Sequence, residues 1–150
     1  MKGSHVVMPA LATLSLTALA ERSGVDTDTL RSYARLGLIS RPRRTSNGLQ
    51  LYPADEAERV TFIRRSLELG FPVPSIREML GLGRRKSLSC DDVYAIAERQ
   101  LRDIRRRLAD LKGMEDALSP LVESCPRVGS LGNCTIVNTL SRPSPLPDGI

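Results

Sequence analysis

The chain of 150 residues has no tryptophan, and its tyrosines and phenylalanines together make up only 3% of it. A core with so few aromatic side chains must be built from leucine, isoleucine, valine and alanine. This composition favours helix packed on helix and argues against a β-sandwich. No hydrophobic run approaches the roughly 20 residues that a membrane-spanning helix needs, so we expect no membrane partner.

Histidine occurs once, at His5, and cysteine three times. A nucleophilic cysteine usually needs a nearby base, most often histidine, so we expect no enzyme, although Cys125 is a conceivable nucleophile for cleaving a carbon–metal bond. An odd number of cysteines without disulfide spacing is typical of the reducing cytoplasm. The start of the chain resembles a short signal peptide, but Pro9 and three hydroxyl residues interrupt its apolar run, and we favour a cytoplasmic protein.

The positive charge is concentrated in the first part of the chain. Residues 1–89 carry 14 basic and 8 acidic side chains, a net of +6, whereas residues 90–150 carry 8 and 9, a net of −1. This asymmetry indicates a polyanion-binding module joined to a second, neutral part. An arginine-rich soluble surface is the alternative.

Two short helices are predicted near the start of the chain. Ser15 can cap a helix over residues 16–22, and Asp26 or Thr27 can cap a second over residues 28–36, with Gly24 and Gly37 at their ends. Two short helices joined by a tight turn form a helix-turn-helix, whose second helix enters the DNA major groove.

A basic hairpin is predicted next. The Asn47-Gly48 turn lies between a basic flank with Arg43 and Arg44 and the alternating pair Leu49 and Leu51. A hairpin after a helix-turn-helix is a wing, and its arginines can bind DNA phosphates. A solvated basic loop is the alternative. Amphipathic helices are then predicted over residues 55–69 and from residue 74 onward, before a polar hinge.

Several segments closely resemble the MerR family of bacterial transcription regulators. They are TALAERSGVD at residues 17–26, LRSYARLGLI at 30–39, Asn47-Gly48 followed by Tyr52, and LGF at 69–71. The resemblance covers residues 15 to about 141 in one unbroken order. It implies that DNA is contacted by Arg31, Tyr33, Arg44, Tyr52 and Arg64, to which the wing adds Arg43.

The second half is predicted to be one long helix over residues 91–124. Its apolar residues recur every three or four positions, close to the seam of a coiled coil, at Ala97, Leu101, Ile104, Leu108, Leu111, Met114, Leu118 and Leu121. A lone helix cannot bury such a stripe, so we infer a homodimer. Packing against the first half of the same chain is the alternative.

The three cysteines have informative spacing. Cys125 follows Cys90 by 35 residues, which is five heptads, and Cys134 follows nine residues later. An intact helix would hold Cys90 and Cys125 roughly 50 Å apart in one chain, whereas an antiparallel pair would bring Cys90 of one chain to Cys125 of the other. A loop with two glycines can then turn Cys134 towards the same point. Pro120 is expected to kink or end the helix and to loosen this register.

Three soft thiolates without a hard ligand suit a thiophilic ion such as Hg(II) or Pb(II). Zn(II) prefers four ligands, and an iron–sulfur cluster usually takes four cysteines. Hg(II) is our first choice of effector, with Pb(II), Cd(II) or Zn(II) as alternatives. Buried structural cysteines are the metal-free alternative. The resemblance supports a metal, because the cysteine spacing is similar to that of mercury-responsive members of the family.

The resemblance implies a mechanism. A homodimer binds an inverted-repeat promoter operator, holds RNA polymerase inactive without metal, and distorts the DNA to activate transcription when metal binds. We divide the chain accordingly into a disordered arm (1–14), a winged helix-turn-helix DNA-binding domain (15–82), a hinge (83–90), a dimerisation helix (91–124), a metal-binding loop with a short helix (125–141) and a tail (142–150). The rival is a metal-independent winged-helix DNA-binding protein.

Overall fold

Helices dominate the structure, a computed structural model that describes residues 13–83 and 86–143. The predicted arm therefore lies mostly outside the described residues, as do residues 84 and 85 of the hinge and most of the tail. Along the chain the elements are β1 (Thr13–Ser15), α1 (Leu16–Ser23), α2 (Thr27–Arg35), β2 (Arg43–Arg44), β3 (Gln50–Pro53), α3 (Glu56–Glu68), α4 (Val73–Met79), α5 (Cys90–Glu123), a 3-10 turn (Leu131–Asn133) and α6 (Thr135–Leu140). The predicted fold class, mostly helical with a winged helix-turn-helix and a long helix after it, is confirmed.

Both helices of the helix-turn-helix begin and end within one residue of the predicted bounds. The Ser15 hydroxyl accepts a hydrogen bond from the Ala18 backbone N–H at 3.1 Å, and Asp26 caps α2 in the same way. Gly24 ends α1 with φ +70, a left-handed conformation that glycine adopts without a Cβ penalty. These caps fix the turn that presents α2.

The wing, formed by β2 and β3, belongs to a three-stranded antiparallel sheet in the order β1-β3-β2. Arg43 lies opposite Leu51, and Leu14 lies opposite Tyr52. The hairpin predicted around Asn47-Gly48 is present. One expectation needs correction: Thr13 and Leu14, which we assigned to the arm, belong to β1, because their pairing partner lies some 40 residues further along the chain and leaves no local signal.

The core of the first unit, which ends at Gln100, is aliphatic with two tyrosines. Its buried hydrophobic residues come from every helix up to α4, from β3 and from the loop after α2: Leu19, Ala20, Leu30, Tyr33, Leu38, Ile39, Tyr52, Ala57, Val60, Ile63 and Ile76. The low aromatic content of the sequence is thus matched by helix-on-helix packing, with the sheet at its side.

The helix α5 is 34 residues long and includes Pro120. Pro120 does not end the helix as one of our expectations had it, because proline removes only one backbone donor and the helix continues to Glu123. Cys125 lies beyond that end, so the helical register predicted for it does not apply. Among the described residues, none of the helices has the length and apolar character required to cross a membrane.

Candidate DNA interface and metal site

The exposed residues of α2 include a predicted DNA contact. The Arg31 guanidinium lies 2.8 Å from the Asp28 carboxylate, one turn earlier, and both side chains are exposed. Asp26, at the start of the helix, accepts a hydrogen bond from the Thr29 backbone N–H at 2.7 Å, and this bond lowers the pKa of Asp26 below its usual 3.8. The beginning of α2 therefore carries two carboxylates, of which Asp28 pairs with the arginine and Asp26 caps the helix.

The two predicted tyrosines belong to the core. Tyr33 is 6% exposed and Tyr52 is 4% exposed. Burial raises the pKa of both hydroxyls, so both are neutral at physiological pH. Their packing role is evident from the structure, whereas their contact with DNA stays a prediction.

The wing presents Arg43 and Arg44 side by side in β2, and both are exposed. Two backbone bonds of Thr45 fix the turn after them: the Thr45 N–H donates to the Leu49 carbonyl at 2.9 Å, and the Thr45 carbonyl accepts from the Gly48 N–H at 2.9 Å. Gly48 has φ +78, which explains the glycine at this position. A short, well-bonded hairpin of this kind holds two cations at the surface.

Arg64 on α3 is only partly exposed. It forms an ion pair of 2.8 Å with Glu68, one turn later, and its Nε atom is buried without a hydrogen-bond partner. Its charge also opposes the rise in the pKa of Tyr33, which indicates that the two side chains are near each other. Its predicted contact with DNA is not tested by these features.

Sequence reasoning missed three polar residues that hold the first unit together. Arg77 donates to the Leu36 carbonyl at 2.7 Å, and Gln100 donates to the Leu69 carbonyl at 3.0 Å. The buried Glu56 accepts from the Ser40 backbone N–H at 3.0 Å. Each bond joins residues at least 16 positions apart, so no local pattern could have revealed it.

Two of the three cysteines lie at one place. Cys125 and Cys134, both half-buried, line a cavity of about 200 Å³ together with the loop between them. Two unusual backbone conformations shape that loop, φ +60 at Arg127 and φ +109 at Gly129. Cys134 also immediately precedes α6, which fixes its backbone position.

Cys90 is the first residue of α5 and is exposed. The start of the helix is held by reciprocal bonds between Ser89 and Asp92: the Asp92 N–H donates to the serine hydroxyl at 3.2 Å, and the Ser89 N–H donates to the carboxylate at 2.9 Å. Within residues 13–83 and 86–143, no three histidine, cysteine or acidic side chains of the chain cluster as a metal site would need.

Two protein-family models match the chain. The model "MerR HTH family regulatory protein" covers residues 14–82, and the model "MerR, DNA binding" covers residues 57–121. They overlap through α3 and α4 and together extend from β1 almost to the end of α5.

Known proteins and solved structures are similar to this chain over most of its length. A mercuric resistance operon regulatory protein of Bacillus cereus is 39% identical over 83% of this chain and 94% of its own length. A protein of the same name from Shigella flexneri is 33% identical over 87% of this chain and 89% of its own length. The crystal structure of the transcription regulator PbrR691 from Ralstonia metallidurans CH34, in complex with lead(II), superposes with a TM-score of 0.73 at 27% identity over 85% of this chain and 99% of that one.

These relatives are transcription regulators rather than enzymes, as the lack of a catalytic base predicted. The two matched ranges together include the helix-turn-helix, the hairpin and most of α5. The chain belongs to the MerR family of helix-turn-helix transcription regulators.

Proposed function

We propose that this chain is a cytoplasmic Hg(II)-responsive regulator that binds an inverted-repeat promoter operator as a homodimer. Hg(II), held by Cys90 of one protomer and by Cys125 and Cys134 of the other, switches it to an activator of transcription. The single observation that carries the proposal is the cavity of about 200 Å³ that both Cys125 and Cys134 line, so that two soft donors border the same space.

The donor chemistry supports a thiophilic ion. Thiolates select soft metals, and among the residues that line the cavity no carboxylate or imidazole competes with them. Two thiols from one loop leave room for a third ligand, and Cys90 is the remaining cysteine of the chain. It stands at the other end of the 34-residue α5, so an antiparallel partner is the natural source of that ligand.

The exposed apolar stripe of α5 supports the homodimer. Ile104 and Leu121 of the stripe are half-buried in the single chain, whereas more than two fifths of each of its other large side chains is exposed: Leu101, Leu108, Leu111, Met114 and Leu118. Such a stripe is stabilised by burial against an equivalent helix. The spacing over the helix fits a coiled coil, and a second copy of this chain carries a matching stripe.

The basic wing and α2 support promoter DNA as the partner. Two such heads related by a two-fold axis would read an inverted repeat. RNA polymerase would be held at the promoter until metal-driven distortion of the DNA favours the open complex. A bound ion can drive that change only by binding one dimer geometry more tightly than the other.

The test combines metal titration with transcription. Hg(II), Pb(II), Cd(II) and Zn(II) are titrated in the presence of a competing small thiol, protected cysteines are counted, and run-off transcription is measured beside each titration. We expect Hg(II) to protect three thiols per chain and to activate at the lowest concentration. Cys90→Ser should abolish the response and leave operator binding unchanged.

Pb(II) is the second candidate, because the superposing regulator PbrR691 was crystallised with lead(II). If Pb(II) activates transcription at lower concentrations than Hg(II), Pb(II) is the effector, and the proposed three-cysteine site remains the binding site. If the chain binds its operator but none of the four metals protects its thiols, the proposed metal site is wrong. The cysteines would then be structural.

A further inference from the structure

The end of α2 is held from outside the helix-turn-helix. The last carbonyls of a helix have no partner within it. Arg77 of α4 supplies one, because its Nη1 atom donates to the Leu36 carbonyl at 2.7 Å and lies 3.3 Å from the Gly37 carbonyl. A cation at this end of a helix is also favoured by the helix dipole.

Gly37 is required for that contact. It has φ +68, and a Cβ atom at this position would lie only 2.7 Å from Arg77 Nη1. The glycine therefore allows both the left-handed turn and the approach of the guanidinium. The turn after α2 is shaped around a side chain that is 40 residues distant in the sequence.

The end of α3 is held in the same manner by α5. Gln100, only 8% exposed, donates from Nε2 to the Leu69 carbonyl at 3.0 Å. Gly70 follows with φ +77, and a Cβ atom there would lie 3.1 Å from Gln100 Nε2. A buried amide committed to one carbonyl fixes how far this part of α5 can turn or slide against α3.

The two anchors are adjacent in the fold. Glu78, next to Arg77, lies 3.8 Å from Arg99, next to Gln100. Both charged groups are substantially exposed, so this ion pair alone contributes little. The bond from Gln100 to the Leu69 carbonyl is part-buried, where a carbonyl left without its partner costs more than a surface pair contributes. The bond from Arg77 to the Leu36 carbonyl is exposed, and its strength comes from the charged donor.

We propose that Gln100 and Arg77 are positioning residues that transmit a displacement of the start of α5 to the end of the recognition helix α2. The inference rests on the proposed function, in which Cys90, ten residues before Gln100 on the same helix, binds the metal. A shift of Cys90 moves Gln100 with it, since an α-helix transmits such motion as a rigid element. Gln100 and Arg99 act on α3 and α4, and Arg77 carries the motion from α4 to Leu36.

The first test needs no metal. Amide hydrogen exchange is compared between the wild type and Gln100→Met, which keeps the length of the side chain and removes the donor. We expect exchange at Phe71, whose N–H bonds to Ser66 at the end of α3, and at Leu38, whose N–H bonds to Tyr33 at the end of α2, to accelerate about fivefold. If amide exchange accelerates at Phe71 but does not change at Leu38, the proposed transmission from α5 to α2 is wrong.

The second test measures coupling. Arg77→Met and Gln100→Met are assayed for operator affinity, for Hg(II)-protected thiols and for metal-dependent activation. Arg105→Met, on α5 like Gln100, is the control. We expect activation to fall about tenfold while affinity and thiol protection change less than about threefold. Arg77→Lys, which retains a cation and donors, should restore part of the response.

Equal losses of operator affinity and activation would overturn the inference, because they would show a purely structural role. So would variants that respond like the wild type. If Hg(II) protects no thiols in the wild type, the proposed function fails, whereas the exchange experiment still decides whether α5 is linked to α2.

Discussion

The Arg31 guanidinium lies 2.8 Å from the Asp28 carboxylate on the exposed surface of α2. An arginine that binds DNA from this position must leave or share its intrahelical partner. The pair is exposed and therefore weak, so a phosphate can compete with the carboxylate for it. If Arg31 binds DNA as predicted, Asp28 should therefore reduce the affinity that the arginine contributes.

Replacing either member of that pair should change DNA binding in opposite directions. We expect Arg31→Met to weaken operator binding and, if the contact is to a phosphate, to reduce the slope of log K against log salt by roughly one. Asp28→Asn should strengthen binding to operator and random DNA alike. Binding is measured by fluorescence anisotropy over a series of salt concentrations. An unchanged salt slope together with relaxed base preference would instead assign Arg31 to a base edge.

A separate prediction concerns the two arginines of the wing. Substituting both Arg43 and Arg44 by glutamine should weaken binding to all DNA sequences and lower the salt slope by roughly two, since phosphate contacts carry no base information. The preference for operator over random DNA should be retained. Arg105→Gln and Arg107→Gln together, on α5, form the control with the same loss of charge. A slope unchanged in the wing variant would contradict a phosphate-binding wing.

A mixed dimer tests whether the metal site is shared between chains. One protomer carries Cys90→Ser, and its partner carries Cys125→Ser and Cys134→Ser. If each site takes Cys90 from one chain and the other two from its mate, the mixed dimer keeps one complete site and each parental homodimer keeps none. We expect only the mixed dimer to retain one Hg(II) against a competing small thiol.

The mixed dimer is obtained by co-expression with two different affinity tags. The wild-type homodimer, which should retain two Hg(II) ions, calibrates the measurement. Retention by neither the mixed dimer nor the parents would indicate a site contained within one chain.

The cap of α2 makes the stability dependent on pH. Because the bond from the Thr29 N–H lowers the pKa of Asp26 in the folded chain, the ionised carboxylate stabilises the fold above the usual value of 3.8, and this contribution is lost as the pH falls through the lowered pKa. Asp26→Asn retains a capping oxygen that does not titrate. We expect the wild type to melt at a higher temperature than Asp26→Asn at pH 6 and the difference to close below 3.8. A difference independent of pH would contradict the assignment.

Local signals predicted most of the first unit. A capping hydroxyl at Ser15, a capping carboxylate at Asp26 and glycines at positions 24 and 37 act within a few residues, and the sequence alone therefore locates both helices of the helix-turn-helix. The same holds for the hairpin at Asn47-Gly48. The apolar spacing of α5 predicted a long helix to within a few residues of its ends.

Contacts between distant residues were not predictable in this way. Arg77 and Gln100 each find their carbonyl more than thirty residues away, and nothing in their own surroundings identifies that partner. Tyr33 and Tyr52 each combine an aromatic ring that can pack in the core with a hydroxyl that can contact DNA. The sequence alone does not show which of these two roles dominates. Cys125 was extrapolated from helical spacing past the point at which the helix ends.

The strand β1 has a practical consequence for work with this protein. It pairs with the central strand β3, which also holds the wing, and Leu14 lies opposite the buried Tyr52. A truncation or insertion within Thr13–Ser15 would therefore remove a backbone partner of the strand that carries Leu51 and Tyr52. A shortened version of the protein should accordingly begin before Thr13 and not within β1.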